Sequence, residues 1–450
     1  MKKLLILTVL LLTCLTAASA ETLYPALGDG GRYGYINAQA EWVIPPQFDW
    51  VSAFRGDYAL AGMEDDAKLD DDGVYWGCDG VIDRTGAWVL APEYDLDSGY
   101  DGSFYGGRDT GIWLVTRHAD TVWDDEEEFL LSRALYGFFD VPTGTFSGLK
   151  WGAVWPWCSD SRLIPVTDAE SGLCGYADRS TGEVVIDYAY HDGDPRNFYE
   201  GVASVAHVDE DHNAEEFFLI DERGETIPLP EGIHSLYMGF ASCGRIRVKD
   251  DTGLQGFADL TGRIVVAPQY VRAEDFSEDR AAVQLSEGEW GYIDPDGALI
   301  ARGFEEARAF ADGYAEVVLD GETRFITPDC SVAPGMRGAH RFAENGLAWV
   351  RVYPGTWRTD AYLINENGEI VSDVYALPEL GSIGWQEGMH RVHGGSGWGF
   401  VNERGELAIP AVYRHAEDFM DGLARVDVED WSGYIDREGR VVYSWPNGRN

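Results

Sequence analysis

The densest group of potential ligand-binding side chains lies between residues 98 and 172, where five tryptophans stand among acidic residues. A tryptophan ring can stack on the apolar face of a sugar ring, so a glycan-binding platform is one interpretation of this group. The preferred interpretation is a degenerate repeat whose aromatic rings are core, because Tyr136-Gly137-Phe138-Phe139-Asp140 resembles strands elsewhere in the chain. The five candidates are Trp113, Trp123, Trp151, Trp155 and Trp157.

Three acidic runs have the oxygen ligands that a cation such as Ca²⁺ prefers. They are Asp65-Asp66, Asp70-Asp71-Asp72 and Asp124-Asp125-Glu126-Glu127-Glu128. Their spacing does not match the D-x-D-x-D-G pattern of a calcium-binding loop, so a solvated loop is the preferred interpretation. The sequence therefore predicts no cofactor, with weak calcium binding as the alternative.

The sequence shows none of the familiar catalytic arrangements. It has no GxSxG, HExxH or P-loop motif, and its nine histidines are scattered. Aspartates such as Asp294 recur at the same place in a repeated turn, whereas a catalytic residue is usually unique. The chain is therefore predicted to be non-enzymatic, and an extracellular glycoside hydrolase is an alternative.

Residues 1–20 have the organisation of a secretory signal peptide. Lys2 and Lys3 precede the apolar run Leu4–Leu12, and Ala18-Ser19-Ala20 supplies the small residues of a cleavage site. We expect secretion to the medium or the cell envelope, without membrane insertion. The formal net charge of -44 disfavours nucleic acid and anionic lipid as partners. Protein or neutral glycan partners remain, and the sequence leaves the oligomeric state open.

After the predicted signal peptide, the chain consists largely of a repeated unit with a period of about 35 residues. Each unit predicts three strands: a Leu-Ala-x-Val strand such as Leu423–Val426, an aromatic-glycine strand such as Trp290–Ile293, and a β-branched strand such as Ile264–Pro268. An aspartate and a glycine predict the tight turn between the second and third strands. The repeat pattern is carried by Gly34, Gly256, Trp290, Gly291, Asp294, Gly297, Trp398, Gly399, Gly405 and Gly433.

The glycine beside each aromatic residue is predicted to serve packing between units. Without a Cβ atom, Gly291 and Gly399 would let a ring or backbone of the neighbouring unit lie flat on the sheet. Trp290 and Trp398 would then pack between consecutive units. A three-stranded unit is too small to bury its own face, so stacking of units must supply the core.

The pattern Trp-Gly-Tyr-Ile-Asp, followed by glycine, Val-Ile-Pro-Pro and then Leu-Ala-x-Val, resembles the bacterial WG-repeat family, also called KWG repeats. The pattern is strongest around residues 32–60, 254–318 and 397–443, and weakest around 98–172. Membership implies an all-β tandem repeat in secreted or surface proteins. It implies no enzymatic activity and no particular ligand, so no functional residue follows from it.

We therefore predict an all-β tandem array of about ten three-stranded units. The predicted organisation is a signal peptide at 1–20, repeats at 21–97, an irregular Trp-rich insertion or degenerate repeat at 98–172, and repeats at 173–450. An open or superhelical array is favoured because about ten units exceed the usual number of propeller blades, and propeller-like closure is the alternative.

The predicted function is a secreted binding scaffold that offers an acidic β surface to proteins or to the envelope. A glycan-binding module that uses the tryptophans of region 98–172 is the alternative.

Overall fold

The computed structural model describes most of the chain after residue 20, and the described residues contain β-strands and turns but no α-helix. The all-β prediction is confirmed. Within the same residues, no helix has the length and apolar character needed to span a membrane. The described residues are 21–65, 68, 77–97, 111–117, 121–124, 129–132, 135–155, 161–191, 197–209, 214–236, 240–311, 313–337, 339–342, 346–351, 360–365, 369–376 and 385–447.

The strands of the first half follow one another in short antiparallel units. They are β1 (Tyr24–Leu27), β2 (Tyr33–Ile36), β3 (Trp42–Phe48), β4 (Trp50–Val51), β5 (Tyr58–Gly62), β6 (Asp79–Asp83), β7 (Trp88–Asp97), β8 (Ile112–Thr116), β9 (Thr121–Asp124), β10 (Phe129–Ser132), β11 (Tyr136–Asp140), β12 (Thr145–Phe146), β13 (Trp151–Val154), β14 (Leu163–Asp168), β15 (Cys174–Asp178), β16 (Val184–Tyr190), β17 (Val202–Val208), β18 (Ala214–Asp221) and β19 (Thr226–Ile227).

The second half continues the same pattern. Its strands are β20 (Ile233–Ser235), β21 (Arg245–Asp250), β22 (Gln255–Asp259), β23 (Ile264–Tyr270), β24 (Arg272–Ala273), β25 (Ala281–Ser286), β26 (Glu289–Ile293), β27 (Leu299–Phe304), β28 (Glu306–Ala307), β29 (Ala315–Leu319), β30 (Glu322–Ile326), β31 (Val332–Arg337), β32 (Ala339–Phe342), β33 (Leu347–Arg351), β34 (Asp360–Asn365), β35 (Tyr375–Ala376), β36 (Met389–Gly394), β37 (Gly397–Asn402), β38 (Leu407–Tyr413), β39 (His415–Ala416), β40 (Leu423–Asp427), β41 (Trp431–Asp436) and β42 (Val441–Pro446).

Each complete unit is an antiparallel meander that contains the three predicted strands. In the unit β24–β27, Val283 pairs with Gly291, and Trp290 pairs with Phe304. The two-residue strand β24 adds a fourth strand, because Ala273 pairs with Val283 on the other edge. Strand orders β20–β23, β28–β31 and β39–β42 are the same, and the first unit has three strands, β1–β3.

Alternate residues of the aromatic-glycine strand pack against different neighbouring units. In β26, Trp290 and Tyr292 join a core cluster with Phe310 of the following unit. Ile293 points to the other face and joins a cluster with Phe257 and Val266 of the preceding unit. This two-residue alternation is the geometry of any strand, and it explains why the strand is buried on both faces.

The hydrophobic core is therefore divided among the junctions between units. A cluster of buried apolar side chains joins each unit to the next along the described chain. Burying one aromatic ring in such a cluster contributes about 2–3 kcal/mol. In the described part of the chain, each of these clusters combines residues of two units, so the units stabilise one another, as in other repeat proteins.

A further cluster joins the last unit, β39–β42, to the first unit, β1–β3. Tyr24 and Ile36 of the first unit pack with Leu423, Tyr434 and Trp445 of the last. The Tyr24 hydroxyl donates to the carbonyl of residue 421 (2.9 Å), and the Tyr443 hydroxyl donates to that of residue 27 (3.2 Å). The tandem array is confirmed, and the contact between its ends is the one that the propeller-like alternative requires.

The closing junction is made by side-chain packing and side-chain-to-backbone hydrogen bonds. Among the described residues, no sheet combines strands from the two ends of the chain. Each end therefore carries whole strands of its own unit. Because no unit is split between the termini, the sequence contains no sign of closure.

Part of the Trp-rich region is a structural unit like the others. Strand β8 pairs with β11, with Phe138 opposite Leu114, and the two strands contribute to the clusters on both sides. This is the arrangement expected of a degenerate repeat. Residues 98–110 and 156–160 of the region lie outside the described residues.

Candidate functional site

The repeated aspartates close the turns between the second and third strands. Asp294 Oδ1 accepts hydrogen bonds from the amides of Asp296 (3.0 Å) and Ala298 (2.8 Å). Asp259 does the same for Thr261 and Arg263, and the bond from the Thr261 hydroxyl is the largest cause that holds the pKa of Asp259 below its usual range. A carboxylate engaged in this way is a poor general acid, so a structural role accounts for these residues.

The glycine after the aromatic residue makes room for backbone of its own unit. A Cβ atom on Gly291 would lie 2.5 Å from the carbonyl oxygen of Ala301, and one on Gly399 would lie 2.6 Å from that of Ile409. The third strand bulges toward the glycine here, as the register shifts show. The prediction that these glycines receive the neighbouring unit is therefore wrong.

The turn glycine is the one that contacts the neighbouring unit. Gly297 has a φ of 84°, and a Cβ atom there would lie 2.8 Å from Cγ2 of Val266 in the preceding unit. Gly405 has a φ of 80°, and its Cβ atom would lie 2.9 Å from the carbonyl oxygen of Val371. Both the left-handed backbone and the close junction thus require glycine.

A tyrosine hydroxyl links units at three equivalent positions. Tyr35 donates to the carbonyl of Ser52 (2.7 Å), Tyr292 to that of Arg308 (2.7 Å), and Tyr434 to the carbonyl of residue 25 (2.8 Å). The first two bonds join consecutive units, and the third joins the last unit to the first. Burial raises the pKa of all three tyrosines, so each hydroxyl keeps its proton and remains a donor.

Arginine–aspartate pairs also cross the junctions. Arg247 Nε lies 2.6 Å from Asp275 Oδ1, and its NH1 group donates to the carbonyl of Ala273 (2.7 Å) in the following unit. Arg391 Nε lies 3.3 Å from Asp418 Oδ1 in the same arrangement. Burial raises the pKa of Asp275, and the positive charge of Arg247 opposes that effect.

Two of the five predicted glycan-binding tryptophans are core residues. Trp113 is 1% exposed and stacks on Phe139, while Trp151 is 0% exposed and stacks on Phe138, each at 5.7 Å between ring centroids. A ring covered on both faces cannot stack on a sugar. At these two positions the structure agrees with the core interpretation and excludes the glycan platform, because the rings fill the junctions between units.

Of the other three tryptophans, Trp155 is the one whose side-chain surroundings the structure describes. Trp155 is partly buried, and its indole nitrogen donates to the Thr167 hydroxyl (3.0 Å). Trp123 lies in β9, opposite Leu130 of β10. Trp157 lies outside the described residues.

The predicted cation-binding runs also lie mostly outside the described residues, which include only Asp65 and Asp124 from them. In the described part of the chain, no group of three or more histidine, cysteine, aspartate or glutamate residues is arranged to hold a metal ion. Calcium binding by the runs stays a prediction.

One acidic residue with a raised pKa, Asp79, was not predicted from the sequence. Asp79 occupies the place of Trp290 in its unit, and its Oδ2 atom accepts a hydrogen bond from the amide of Leu96 (3.2 Å). Burial raises the pKa of Asp79 to about 6, and the negative charge of Asp95 adds to the effect. The available signal was Asp-Gly at a position where other units have an aromatic residue before glycine.

The surface offers a repeated apolar feature at the start of the third strands. These residues follow the tight turn and lie on strands that mostly form the outer edge of their sheet. Their side chains are between 37% and 51% exposed, although the third residue of the same strands is mostly buried. We call this set the edge belt: Trp42, Val43, Val89, Val185, Leu299, Ile300, Leu407 and Val441.

The chain is similar to several solved structures at low TM-scores, and three of them follow. BamB from Moraxella catarrhalis is 12% identical with a TM-score of 0.30, and 78% of this chain and 95% of that chain are covered. A eukaryotic initiation factor is 9% identical with a TM-score of 0.36, and 78% of this chain and 95% of that chain are covered. AztD from Citrobacter koseri is 12% identical with a TM-score of 0.29, and 78% of this chain and 93% of that chain are covered. With such low TM-scores, these similarities carry no weight for the arrangement of the units or for function.

Among curated proteins, none matches the sequence significantly. The family of proteins with the WG containing repeat matches the chain at residues 33–65, 80–96, 256–287, 290–322 and 398–430. These five regions include the turns of Asp259 and Asp294, the glycines Gly291, Gly297, Gly399 and Gly405, and the tyrosines Tyr35 and Tyr292, while Tyr434 lies outside them. The predicted resemblance to the WG-repeat family is confirmed at these five regions, and the chain contains WG repeats there.

Proposed function

We propose that this chain is a secreted, non-enzymatic scaffold that binds protein partners through its exposed β surface. The observation that supports this most strongly is the use of its recurring polar groups. The turn aspartates are engaged in closing turns within their units, and the junction tyrosines and the arginine–aspartate pairs are engaged in holding neighbouring units together. What varies from unit to unit is the exposed surface, and repeat arrays present such surfaces to partners.

A protein partner is favoured over a glycan partner by the position of the tryptophans. Trp113 and Trp151 are buried, so the aromatic platform loses two of its five members. The formal net charge of -44 raises the local concentration of cationic partners and repels anionic ones. The edge belt adds apolar area that a protein partner can cover.

The test uses the purified chain beginning at Glu21 as bait for surface material from the producing cell. The material is divided into three samples: untreated, digested with protease, and treated with periodate to oxidise glycans. We expect a specific partner that is lost after protease treatment and kept after periodate treatment. EDTA should leave binding unchanged, since the scaffold needs no metal.

Binding that is lost after periodate treatment and kept after protease treatment would favour the glycan-binding alternative. In that case tryptophan fluorescence should shift with a polysaccharide, and the shift should shrink in Trp155→Ala. Turnover of chromogenic glycosides by the purified chain would instead favour a hydrolase and refute the non-enzymatic proposal.

A further inference from the structure

Two kinds of side-chain pair are found at some of the turns between the second and third strands. In one type the turn residue is aspartate and an arginine pairs with it: Arg263 Nε lies 2.9 Å from Asp259, and Arg440 Nε lies 2.6 Å from Asp436. The positive charge of the arginine offsets the carboxylate at that turn. These turns therefore add little net charge to the surface.

In the other type the turn residue is asparagine and a glutamate replaces the arginine. The side-chain amide of Asn402 donates to Glu406 Oε2 (3.0 Å), and that of Asn365 donates to Glu369 Oε2 (2.8 Å). The amide is neutral, so it positions the carboxylate without removing its charge. A positioned carboxylate loses less side-chain entropy when a cation binds to it.

The third example lies in the first unit, where Asn37 donates to Glu41 Oε2 (3.4 Å). Each glutamate is exposed and is followed directly by exposed apolar residues: Trp42 and Val43, Ile370, or Leu407. Ile370 is the most exposed of these, at 65%. We call these three sites the acid–aliphatic corners: Glu41 with Trp42-Val43, Glu369 with Ile370, and Glu406 with Leu407.

Closure of the array brings the corners into one part of the molecule. Glu369 and Glu406 belong to the consecutive units β32–β35 and β36–β38, which share a core cluster. The last unit follows, and it packs on the first unit, which carries Glu41. Residues more than 300 positions apart in sequence thus lie in a run of four neighbouring units.

We propose that the acid–aliphatic corners form the docking surface for a protein segment that carries lysine or arginine beside aliphatic side chains. This inference rests on the proposed scaffold function and names its partner class. The carboxylates match the cationic groups, and the exposed side chains next to them match the aliphatic groups. Three repeated corners allow one extended segment to bind at several points, which raises its affinity through effective concentration.

The test measures binding of labelled synthetic peptides to the chain beginning at Glu21 by fluorescence anisotropy, at low and at physiological salt. The probes are an alternating Lys-Val peptide, an alternating Lys-Ser peptide and an alternating Glu-Val peptide. We expect the Lys-Val peptide to bind at least tenfold more tightly than the Lys-Ser peptide. The Glu-Val peptide should not bind.

The first variant is the triple Glu41→Gln/Glu369→Gln/Glu406→Gln, which removes the charges and keeps the shape. It should weaken Lys-Val binding at least tenfold and reduce its salt dependence. The matched control is Glu183→Gln/Glu225→Gln/Glu438→Gln, which removes the same charge from exposed carboxylates near Lys150, Arg223 and Arg440. Equal weakening by the control would show that only net charge matters and would overturn the proposal.

The second variant tests the apolar half of each corner. Ile370→Ser/Leu407→Ser should weaken binding of the Lys-Val peptide about tenfold and leave Lys-Ser binding unchanged. The control is Val271→Ser/Met420→Ser, at exposed positions outside the corners. If a partner captured from surface material still binds both corner variants at full strength, the corners are refuted while the scaffold function stands.

Discussion

Removing one hydroxyl group tests whether the array is closed in solution. Tyr434 donates across the junction between the last and first units, to the carbonyl oxygen of residue 25, at 2.8 Å. In Tyr434→Phe, that part-buried carbonyl loses the hydroxyl donor and the ring stays in place. Tyr35→Phe and Tyr292→Phe remove the equivalent bonds, each 2.7 Å long, from two junctions inside the array.

The expected cost is about 1 kcal/mol for each of the three variants, which is typical for one buried hydrogen bond between neutral groups. That is roughly a fivefold change in the unfolding equilibrium. The similarity of the three values is the important point, because each hydroxyl group donates to a backbone carbonyl of the neighbouring unit. Tyr434 is 5% exposed, and its cluster includes Tyr24 and Ile36 of the first unit. In an open array its hydroxyl would bond to water, and its removal would cost almost nothing.

The assay is urea unfolding followed by tryptophan fluorescence, with hydrogen exchange of the amides in β1 and β2 as a second readout. Faster exchange in β1 and β2 is expected for Tyr434→Phe, since weakening the junction lets the first unit open more often. A normal unfolding midpoint for Tyr434→Phe, beside clear destabilisation by Tyr35→Phe, would refute closure. The proposal of neighbouring acid–aliphatic corners would then fall with it.

Three other predictions follow from the junctions and the buried acids. Gly291→Ala should lower the free energy of unfolding, measured by urea titration, by about 1–3 kcal/mol, because the new methyl group meets backbone. The control Gly395→Ala should leave it unchanged, because no atom lies within 4 Å of the added methyl group. The raised pKa of Asp79 stabilises the fold at low pH, so that contribution should disappear as pH rises through about 6; Asp79→Asn should remove this step from a series of melting temperatures between pH 4 and pH 7.5. Arg247→Met should cost about 1–3 kcal/mol by leaving Asp275 partly buried without its cation, and adding Asp275→Leu should recover part of the loss; equal stability of Arg247→Met and the parent chain would contradict this role.

The local structure was predictable because it depends on short-range chemistry. Aspartate and glycine at a fixed spacing close a turn wherever they occur, and the Asp294 turn has the expected form. The aromatic-glycine and β-branched segments form strands because alternation places their side chains on two faces. Covering both faces requires neighbouring units, so the division of the core among junctions also followed from the repeat.

The roles of the two glycines could not be predicted from their order in the chain. Gly291 and Gly297 are both small residues near a turn, and only the bulge of the third strand decides which of them meets its own unit. The same is true of Trp113 and Trp151, since an aromatic residue can equally fill a junction or face solvent.

The sequence by itself determined the unit, its strands, its turns and the acidic balance of the surface, because these depend on residue type and on neighbours a few positions away. Closure was decided by tertiary structure alone. It depends on how the small rotations between units add up, and on whether Tyr24 and Tyr434, some 400 residues apart, finally meet. Whether Glu41 and Glu406 share one surface was therefore a question that only packing of the whole chain could answer.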